Sequence, residues 1–240
     1  MILLFRAGQR PSLECVRAAV AGAGRLSIVH EMEPGIDGAP GAIELLRDGM
    51  TFDLQGFAPS NAIRIPPVHH AYGMPEQHDP FSDEAILLKP GPHLAAGLHT
   101  LPVVRAMASI AADLASVFVG CFAIVWPPSR AVVGSEFFAS AISAWIEGAA
   151  FPALGLTSIG EDIDGGMRSY GLSWFTGQEI RLAADLTHDK AAAARLLIRL
   201  INQLVSQGRL TQSEYIVAPD GGRLALEPTR DGTLVRVRGA

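Results

Sequence analysis

The residue types best suited to binding chemistry gather in the segment 165–185, GGMRSYGLSWFTGQEIRLAAD. The segment predicts a β-hairpin with strands Ser169–Phe175 and Glu179–Asp185, because Gly177 in the link between them supplies the positive φ that such turns often need. The hairpin would place a guanidinium, two aromatic rings and a carboxylate close together. The side chains concerned are Arg168, Tyr170, Trp174 and Glu179.

A second group of this kind, Trp126-Pro127-Pro128-Ser129-Arg130, follows the apolar run Phe118–Trp126, which predicts a central strand. If the hairpin pairs near this strand, Arg130 or Arg168 can bind an anion above aromatic walls. The candidate ligand-binding residues are therefore Trp126, Ser129, Arg130, Arg168, Tyr170, Trp174 and Glu179. In the competing interpretation, which we favour because large aromatics dominate cores, the tryptophans are buried and the arginines are solvated.

Histidines offer two further kinds of site. Imidazoles suit zinc or iron, but the three in the proline-rich stretch 58–83 have no recognised ligand spacing, so a metal site there is only a weak alternative; they are His69, His70 and His78. His93 and His99 precede a predicted long helix, whose N-terminus would favour a neutral imidazole that can act as a general base. Ordinary loop histidines are the competing interpretation.

Motifs that specify a reaction are missing from the sequence. It has no nucleophile elbow, no Gly-Lys-Ser/Thr phosphate loop and no dinucleotide fingerprint. The acidic cluster Glu161, Asp162 and Asp164 lacks the downstream glutamate of a calcium loop and predicts a solvated turn. We therefore predict no cofactor.

The composition of the chain argues against two classes of partner, nucleic acids and membranes. The chain of 240 residues is 49% hydrophobic and carries a net charge of −5, which argues against nucleic acid. The C-terminal arginines alternate along the chain with Glu227 and Asp231, so no basic patch is expected from them; they are Arg223, Arg230, Arg236 and Arg238. Charged residues and prolines interrupt every long apolar run, and no secretory leader is recognisable, so a cytoplasmic protein that does not span a membrane is predicted.

The lysine and cysteine contents are also informative. Lysine occurs only at positions 89 and 190, and this preference for arginine is typical of a GC-rich bacterial genome. Cys15 and Cys121 lie among apolar neighbours and are expected to be buried free thiols.

The order of elements predicts an α+β fold. Helices return between strands, but some strands follow one another directly, which is typical of a mainly antiparallel sheet with helices packed on one face. Both parts of the chain begin β-α-β and continue with a hairpin, so we expect two ferredoxin-like halves that share a sheet. Residues 1–82 would form an N-terminal lobe with a proline-rich linker, and residues 83–240 a C-terminal lobe, although the two lobes can also pack as one domain.

The stretch Tyr170-Gly171-Leu172-Ser173-Trp174-Phe175, with Glu179-Ile180 after it, resembles the signature of an uncharacterised bacterial family, numbered 4261 among the domains of unknown function. The resemblance extends to the strand that ends at Trp126, to Ser129 and to the helix near Phe137, and it covers residues 85–207 at most. Thr176 and Gln178 stand where the family pattern has Gly and Pro. The resemblance implies an α+β fold for the C-terminal lobe and no known activity.

The function that these features favour is a cytoplasmic, non-catalytic binding or interaction module. The absence of a catalytic set, the proline-rich loop and the high apolar fraction support a homo-oligomer or a protein partner. The alternative is an enzyme, hydrolytic or metal-assisted, with an inter-lobe cleft in which His93 or His99 works with Glu179. A third hypothesis is a regulatory subunit whose segment 209–240 swaps onto a neighbouring chain.

Overall fold

The computed structural model describes residues 1–22, 24–32, 41–59, 63–74, 84–218 and 221–240. The chain divides into two compact units, the first made of Met1–Pro127 with Val132–Ala149 and the second of Pro128–Ala131 with Ala150–Ala240. Each unit contains one mainly antiparallel sheet with helices, which confirms the α+β class. The strands therefore form two sheets instead of sharing one.

The first unit is built on an eight-stranded sheet. Its elements in chain order are β1 (Ile2–Phe5), α1 (Leu13–Gly22), β2 (Ser27–Met32), β3 (Ala42–Arg47), β4 (Met50–Gln55), β5 (His70–Tyr72), β6 (Glu84–Pro90), α2 (Leu101–Val117), β7 (Cys121–Trp126), β8 (Ala131–Gly134) and α3 (Ser135–Ile146). The strand order is β2-β3-β4-β6-β1-β7-β8-β5. β6 lies between β4 and β1, so the expected lobe boundary near residue 83 falls inside this sheet.

Turn chemistry fixes the β3–β4 hairpin. Asp48 and Gly49 have φ values of 49° and 77°, the two positive values that a tight hairpin turn of this type requires. The resulting register pairs Arg47 with Met50. It places Arg47 at the end of β3, where its side chain is only 6% exposed.

The proline-rich stretch has a structural role in the first unit. Ile63, Ile65, Val68 and Met74 pack on one apolar face of the sheet, against residues that include Ile2 and Leu4. α2 packs on β4, β6 and β7, and α3 packs on α2 and β7. Because prolines forbid a helix over much of this stretch, an extended segment covers part of the sheet instead.

The second unit is built on a six-stranded sheet. Its elements are α4 (Ala153–Leu156), β9 (Ser158–Glu161), β10 (Met167–Tyr170), α5 (Ser173–Thr176), β11 (Glu179–Leu182), α6 (Lys190–Gln207), β12 (Glu214–Val217), β13 (Arg223–Pro228) and β14 (Leu234–Gly239). The strand order is β12-β13-β14-β11-β10-β9, in which β11 and β14 run parallel and the other neighbours antiparallel.

The helix α6 buries its apolar face against β10 and β11. The amphipathic pattern of the sequence predicts a helix over Asp189–Gln207 that is capped by Thr187. The helix begins one residue later, and its N-cap is Asp189, whose side chain accepts a hydrogen bond of 3.0 Å from the amide of Ala192. The apolar residues of Ala153–Ile159 predict a strand, but the first half of this prediction is wrong, because α4 occupies Ala153–Leu156.

The predicted hairpin exists in a shorter form. β10 and β11 pair antiparallel with Arg168 opposite Arg181, and Gly177 has a φ of 75°. The residues between the strands form the helical turn α5, so Ser173 and Trp174 are not in a strand as predicted. No helix in the described part of the chain is long and apolar enough to cross a membrane.

Candidate functional site

A row of arginines crosses the sheet of the second unit. Arg168 on β10 pairs with Arg181 on β11, and Arg181 pairs in parallel register with Arg236 on β14. Residues directly opposite each other point to the same face, with Cβ atoms roughly 5 Å apart. We call Arg168, Arg181 and Arg236 the arginine row. Like charges directly opposite one another destabilise a sheet, so this row needs counter-charges.

The alternation of side chains along β13 and β14 separates this face from the core. Val235 and Val237 are buried, whereas Arg236 and Arg238 between and after them are exposed. The same period of two places Arg223 and Ala225 of β13 on the arginine side, with Leu224 and Leu226 on the buried side. The sheet therefore has one apolar face, which packs against α6, and one charged face.

Two tyrosines share the charged face. Tyr170 lies two residues from Arg168, whose Cζ is 5.1 Å from the ring centroid. Tyr215 on β12 is 62% exposed, and the Cζ of Arg223 lies 5.2 Å from its ring centroid. Both contacts are at the distance of cation–π interactions. We call this surface the arginine face; its members are Arg168, Arg181, Arg223, Arg236, Arg238, Tyr170 and Tyr215.

Carboxylates neutralise only part of the arginine face. Arg181 donates from Nε to Asp162 at 2.6 Å and also pairs with Asp164, and hydrogen bonding to Arg181 holds the pKa of Asp164 below its ordinary value. Arg238 forms two hydrogen bonds with Glu227, of 3.1 and 2.6 Å, and these lower the pKa of Glu227.

Arg236 lies directly opposite Glu227, and its charge also helps to lower the pKa of that carboxylate, but the two do not form a close ion pair. Among the described residues, no carboxylate lies within ion-pair distance of Arg168, Arg223 or Arg236. Five arginines thus share this side of the sheet with four carboxylates, because Glu179 is two residues before Arg181 on β11 and joins Asp162, Asp164 and Glu227. The face carries excess positive charge, although the whole chain has a net charge of −5.

Three of the four C-terminal arginines lie on one face together with Glu227, so the expectation that they form no basic patch stays a prediction. Along the chain they alternate with acidic residues, but the strand period brings Arg223, Arg236 and Arg238 to one face. Asp231 lies in the turn, where its carboxylate accepts hydrogen bonds from Thr229 and Thr233 instead of pairing with an arginine. The alternation Leu-Val-Arg-Val-Arg at 234–238 is the signal that sequence reasoning missed.

Glu179 has a structural role in the connection from β10 to β11. Its two carboxylate oxygens accept five hydrogen bonds, from the amides of Gly171, Leu172 and Ser173 and from the hydroxyls of Ser169 and Ser173, at 2.5 to 3.3 Å. A carboxylate offers about four lone-pair sites, so these donors saturate it. The expected ligand-binding carboxylate instead holds α5 against the sheet.

Ser129 and Arg130 belong to the second unit, where Ser129 contacts the strand ends at Ser158 and Gly171. Ser129 is fully buried, and its carbonyl accepts a hydrogen bond of 2.7 Å from the hydroxyl of Ser158. A Cβ placed on Gly171 would lie 2.8 Å from the Cα of Ser129, so glycine is required for this close approach. Arg130 is exposed, with a positive φ of 52°.

The two predicted tryptophans lie on different elements. Trp126 lies on the fully buried strand β7 of the first unit and is 2% exposed, which agrees with the core interpretation. Trp174 is half-buried on α5. Of the seven candidate residues, Arg168 and Tyr170 lie together on the arginine face, and Ser129 and Glu179 both contact Gly171, the residue after Tyr170.

The histidines that the structure describes do not come together in one site. His93 and His99 are exposed, and Nδ1 of His93 lies 3.4 Å from the hydroxyl of Thr51. Burial, together with the neighbouring His69, lowers the pKa of His70, and His78 lies outside the described residues. Within the described ranges no group of three or more His, Cys, Asp or Glu side chains could hold a metal ion.

Comparisons of the chain with protein-family models, with curated proteins and with solved structures found no match. The resemblance to the uncharacterised family 4261 therefore stays a prediction. The function must be argued from the geometry of the arginine face.

Proposed function

We propose that this protein is a cytoplasmic, non-catalytic binding module whose arginine face takes an acidic, extended segment of a partner protein. The observation that carries the proposal is the arginine row, in which Arg168, Arg181 and Arg236 stand directly opposite one another. Carboxylates of a partner would relieve the repulsion in this row and accept paired hydrogen bonds from its guanidinium groups.

The outer strand of the sheet favours an extended partner. β12 is the last strand in the sheet order, so the described residues place no strand beside its outer edge. Its side chains Tyr215 and Val217 are 62% and 58% exposed. Extended peptides often add to such an edge through backbone hydrogen bonds, while alternate side chains reach the neighbouring face.

An acidic protein segment fits better than a nucleic acid. The chain carries a net charge of −5, which opposes a dense polyanion at long range. In addition, Arg168 and Arg223 lie over the rings of Tyr170 and Tyr215, so one side of each ring that a base would stack on is already covered.

A homo-oligomer in which the partner is a second copy of the chain is part of the same proposal, and light scattering of the purified protein tests it. The ferredoxin-like description of each half, the bacterial source and the swapping of segment 209–240 also stay predictions. The enzyme alternative, with His93 or His99 as base, loses support from Glu179, because that carboxylate is occupied by five donors of its own unit.

The test compares two double variants with the same change of charge. Arg223→Gln with Arg236→Gln removes two exposed arginines of the arginine face, and Arg195→Gln with Arg199→Gln removes two exposed arginines of α6. Fluorescence anisotropy measures binding of a labelled peptide of alternating Glu and Ser at low and at physiological salt. Each exposed ion pair contributes about 0.2–1 kcal/mol, so the first variant, which loses two, should bind roughly twofold to thirtyfold more weakly.

The control variant should bind like the wild type, and salt should weaken binding of both wild type and control. Equal loss of affinity in the two double variants would refute the role of the arginine face. Tighter binding of an oligothymidylate than of the acidic peptide would refute the partner class.

A further inference from the structure

We infer that a pocket in the first unit, distinct from the arginine face, binds a small organic anion that carries an apolar group. The pocket has a volume of about 580 Å³. This lies within the range of about 300–1,000 Å³ that is usual for small-molecule sites. Its wall combines three arginines with apolar side chains; the residues that matter here are Arg25, Arg47, Arg105, Met50, Pro102 and Ile146.

Arg47 is the central observation. It is 6% exposed, so its guanidinium is a buried charge, and it lines the pocket. Nη1 pairs with Asp113 of α2, and Nε lies 3.9 Å from an oxygen of Asp48. The buried Nε has no hydrogen-bond partner among the described residues. Buried donors are nearly always satisfied, so this N–H leaves the Arg47 guanidinium incompletely paired within the described chain, next to a pocket that its residue lines.

Arg105 supplies a second, fixed cation. Its Nη2 donates to the carbonyls of Trp145 and Ile146 in the last turn of α3, at 3.0 and 2.6 Å. Its Cζ lies 5.5 Å from the centroid of the Trp145 ring. These contacts hold the guanidinium in place before any ligand arrives, which reduces the entropy lost on binding.

Charge in the pocket favours an anion. Arg25 is exposed at the wall and adds a third guanidinium, whereas Asp48 is the only carboxylate among the described lining residues. Asp113 offsets Arg47 from outside the lining. Three arginines against two carboxylates leave an excess of one positive charge, enough for a carboxylate group but not for a highly charged polyanion.

The apolar side chains of the pocket predict the chemistry of the ligand beyond its anionic group. Met50 and Ile146 are half-buried, and Ala106 is buried beside Arg105 on α2. An inorganic anion would leave these apolar side chains uncovered, whereas an aromatic or aliphatic acid would bury them. The predicted class is a monocarboxylic acid with a ring or a short aliphatic chain.

The test uses ligand pairs that differ in one property. Phenylacetate, phenylacetamide, acetate and inorganic phosphate are titrated into the full chain, and binding is followed by calorimetry and by amide chemical shifts. Phenylacetate should bind and shift the amides around 47–50 and 105–109. Its neutral amide should bind at least about tenfold more weakly, because the amide has no charge to pair with the arginines. Acetate and phosphate should bind more weakly, because they bury no apolar surface.

Variants locate the site. Arg25→Met leaves the buried network intact and should lower the affinity for phenylacetate about threefold, as loss of one exposed charge pair does. Arg47→Lys keeps the charge but removes Nε and should lower the affinity further; Arg64→Met, at an exposed arginine elsewhere in the first unit, should change nothing.

Equal binding of phenylacetate and phenylacetamide would overturn the inference, as would a lack of binding or shifts that map outside the pocket. If Arg47→Lys does not fold, the Arg25→Met result and the ligand pair still decide the question. The arginine-face variants Arg223→Gln and Arg236→Gln should leave phenylacetate binding unchanged, so failure of one proposal is separable from failure of the other.

Discussion

Replacing Glu179 by glutamine tests how the β10–β11 connection is held. Oε1 accepts from the amides of Gly171 and Ser173 and from the Ser173 hydroxyl, and Oε2 accepts from the Ser169 hydroxyl and the amide of Leu172. Glutamine keeps one acceptor oxygen, but its amide nitrogen takes the place of the second carboxylate oxygen. This nitrogen would then face a group that is itself a hydrogen-bond donor. The variant therefore loses the charge and leaves at least one N–H without an acceptor.

The magnitude follows from hydrogen bonds to a charged group, each of which contributes about 1.5–3 kcal/mol, with the lower end appropriate to a half-buried carboxylate. Glu179→Gln should destabilise the connection by about 1–2 kcal/mol, and Glu179→Ala, which removes every acceptor, by about 3 kcal/mol. A change of 1.4 kcal/mol alters the equilibrium constant for local opening by a factor of ten. Native-state hydrogen exchange at Gly171 and Ser173 should therefore be roughly tenfold faster in Glu179→Gln.

Glu214→Gln serves as the control, because Glu214 is exposed on β12 and far along the chain from this connection. Hydrogen exchange measured by nuclear magnetic resonance reports the three amides individually. If the glutamine variants at 179 and 214 exchange at the same rate, the carboxylate does not hold the connection and the reasoning is wrong.

The remaining predictions concern a close packing contact and the thiols. Gly171→Ala should lower the free energy of unfolding by about 1–2 kcal/mol more than Gly165→Ala, because both glycines have similar positive φ values (85° and 83°) but only at 171 would Cβ clash with Ser129. Urea unfolding measures the difference; equal losses would contradict the contact. Iodoacetamide at about pH 8 should modify Cys15 and spare Cys121, because burial raises the pKa of the Cys121 thiol to about 12. Mass spectrometry would count the labelled thiols, and labelling of Cys121 in the folded protein would contradict its burial.

Local signals in the sequence were sufficient for several elements. Asp48-Gly49 determines the β3–β4 turn through its two positive φ values, and the apolar stripe of α6 identifies that helix to within one residue. In contrast, the expectation that both thiols are buried is wrong for Cys15, which is exposed on α1. Apolar residues near a cysteine along the chain do not predict which side of a short helix faces the solvent.

The candidate site depended on pairing between strands distant along the chain. The arginine row requires β11 to lie beside β14, with Arg181 opposite Arg236. No local pattern specifies a parallel pair of this kind, because its partners are brought together by the packing of α6 and the intervening strands. Glu179 was identified as a notable residue, but its donors became visible only once the turn α5 was in place.

The most direct test of the central claim is to map where an acidic peptide binds. Amide chemical shifts of the isotope-labelled full chain would be recorded during titration with the peptide of alternating Glu and Ser. The largest shifts should fall on β12, β13 and β14 and at Arg168 and Arg181, and they should disappear at high salt. Shifts spread evenly over the surface, or confined to α6, would contradict it.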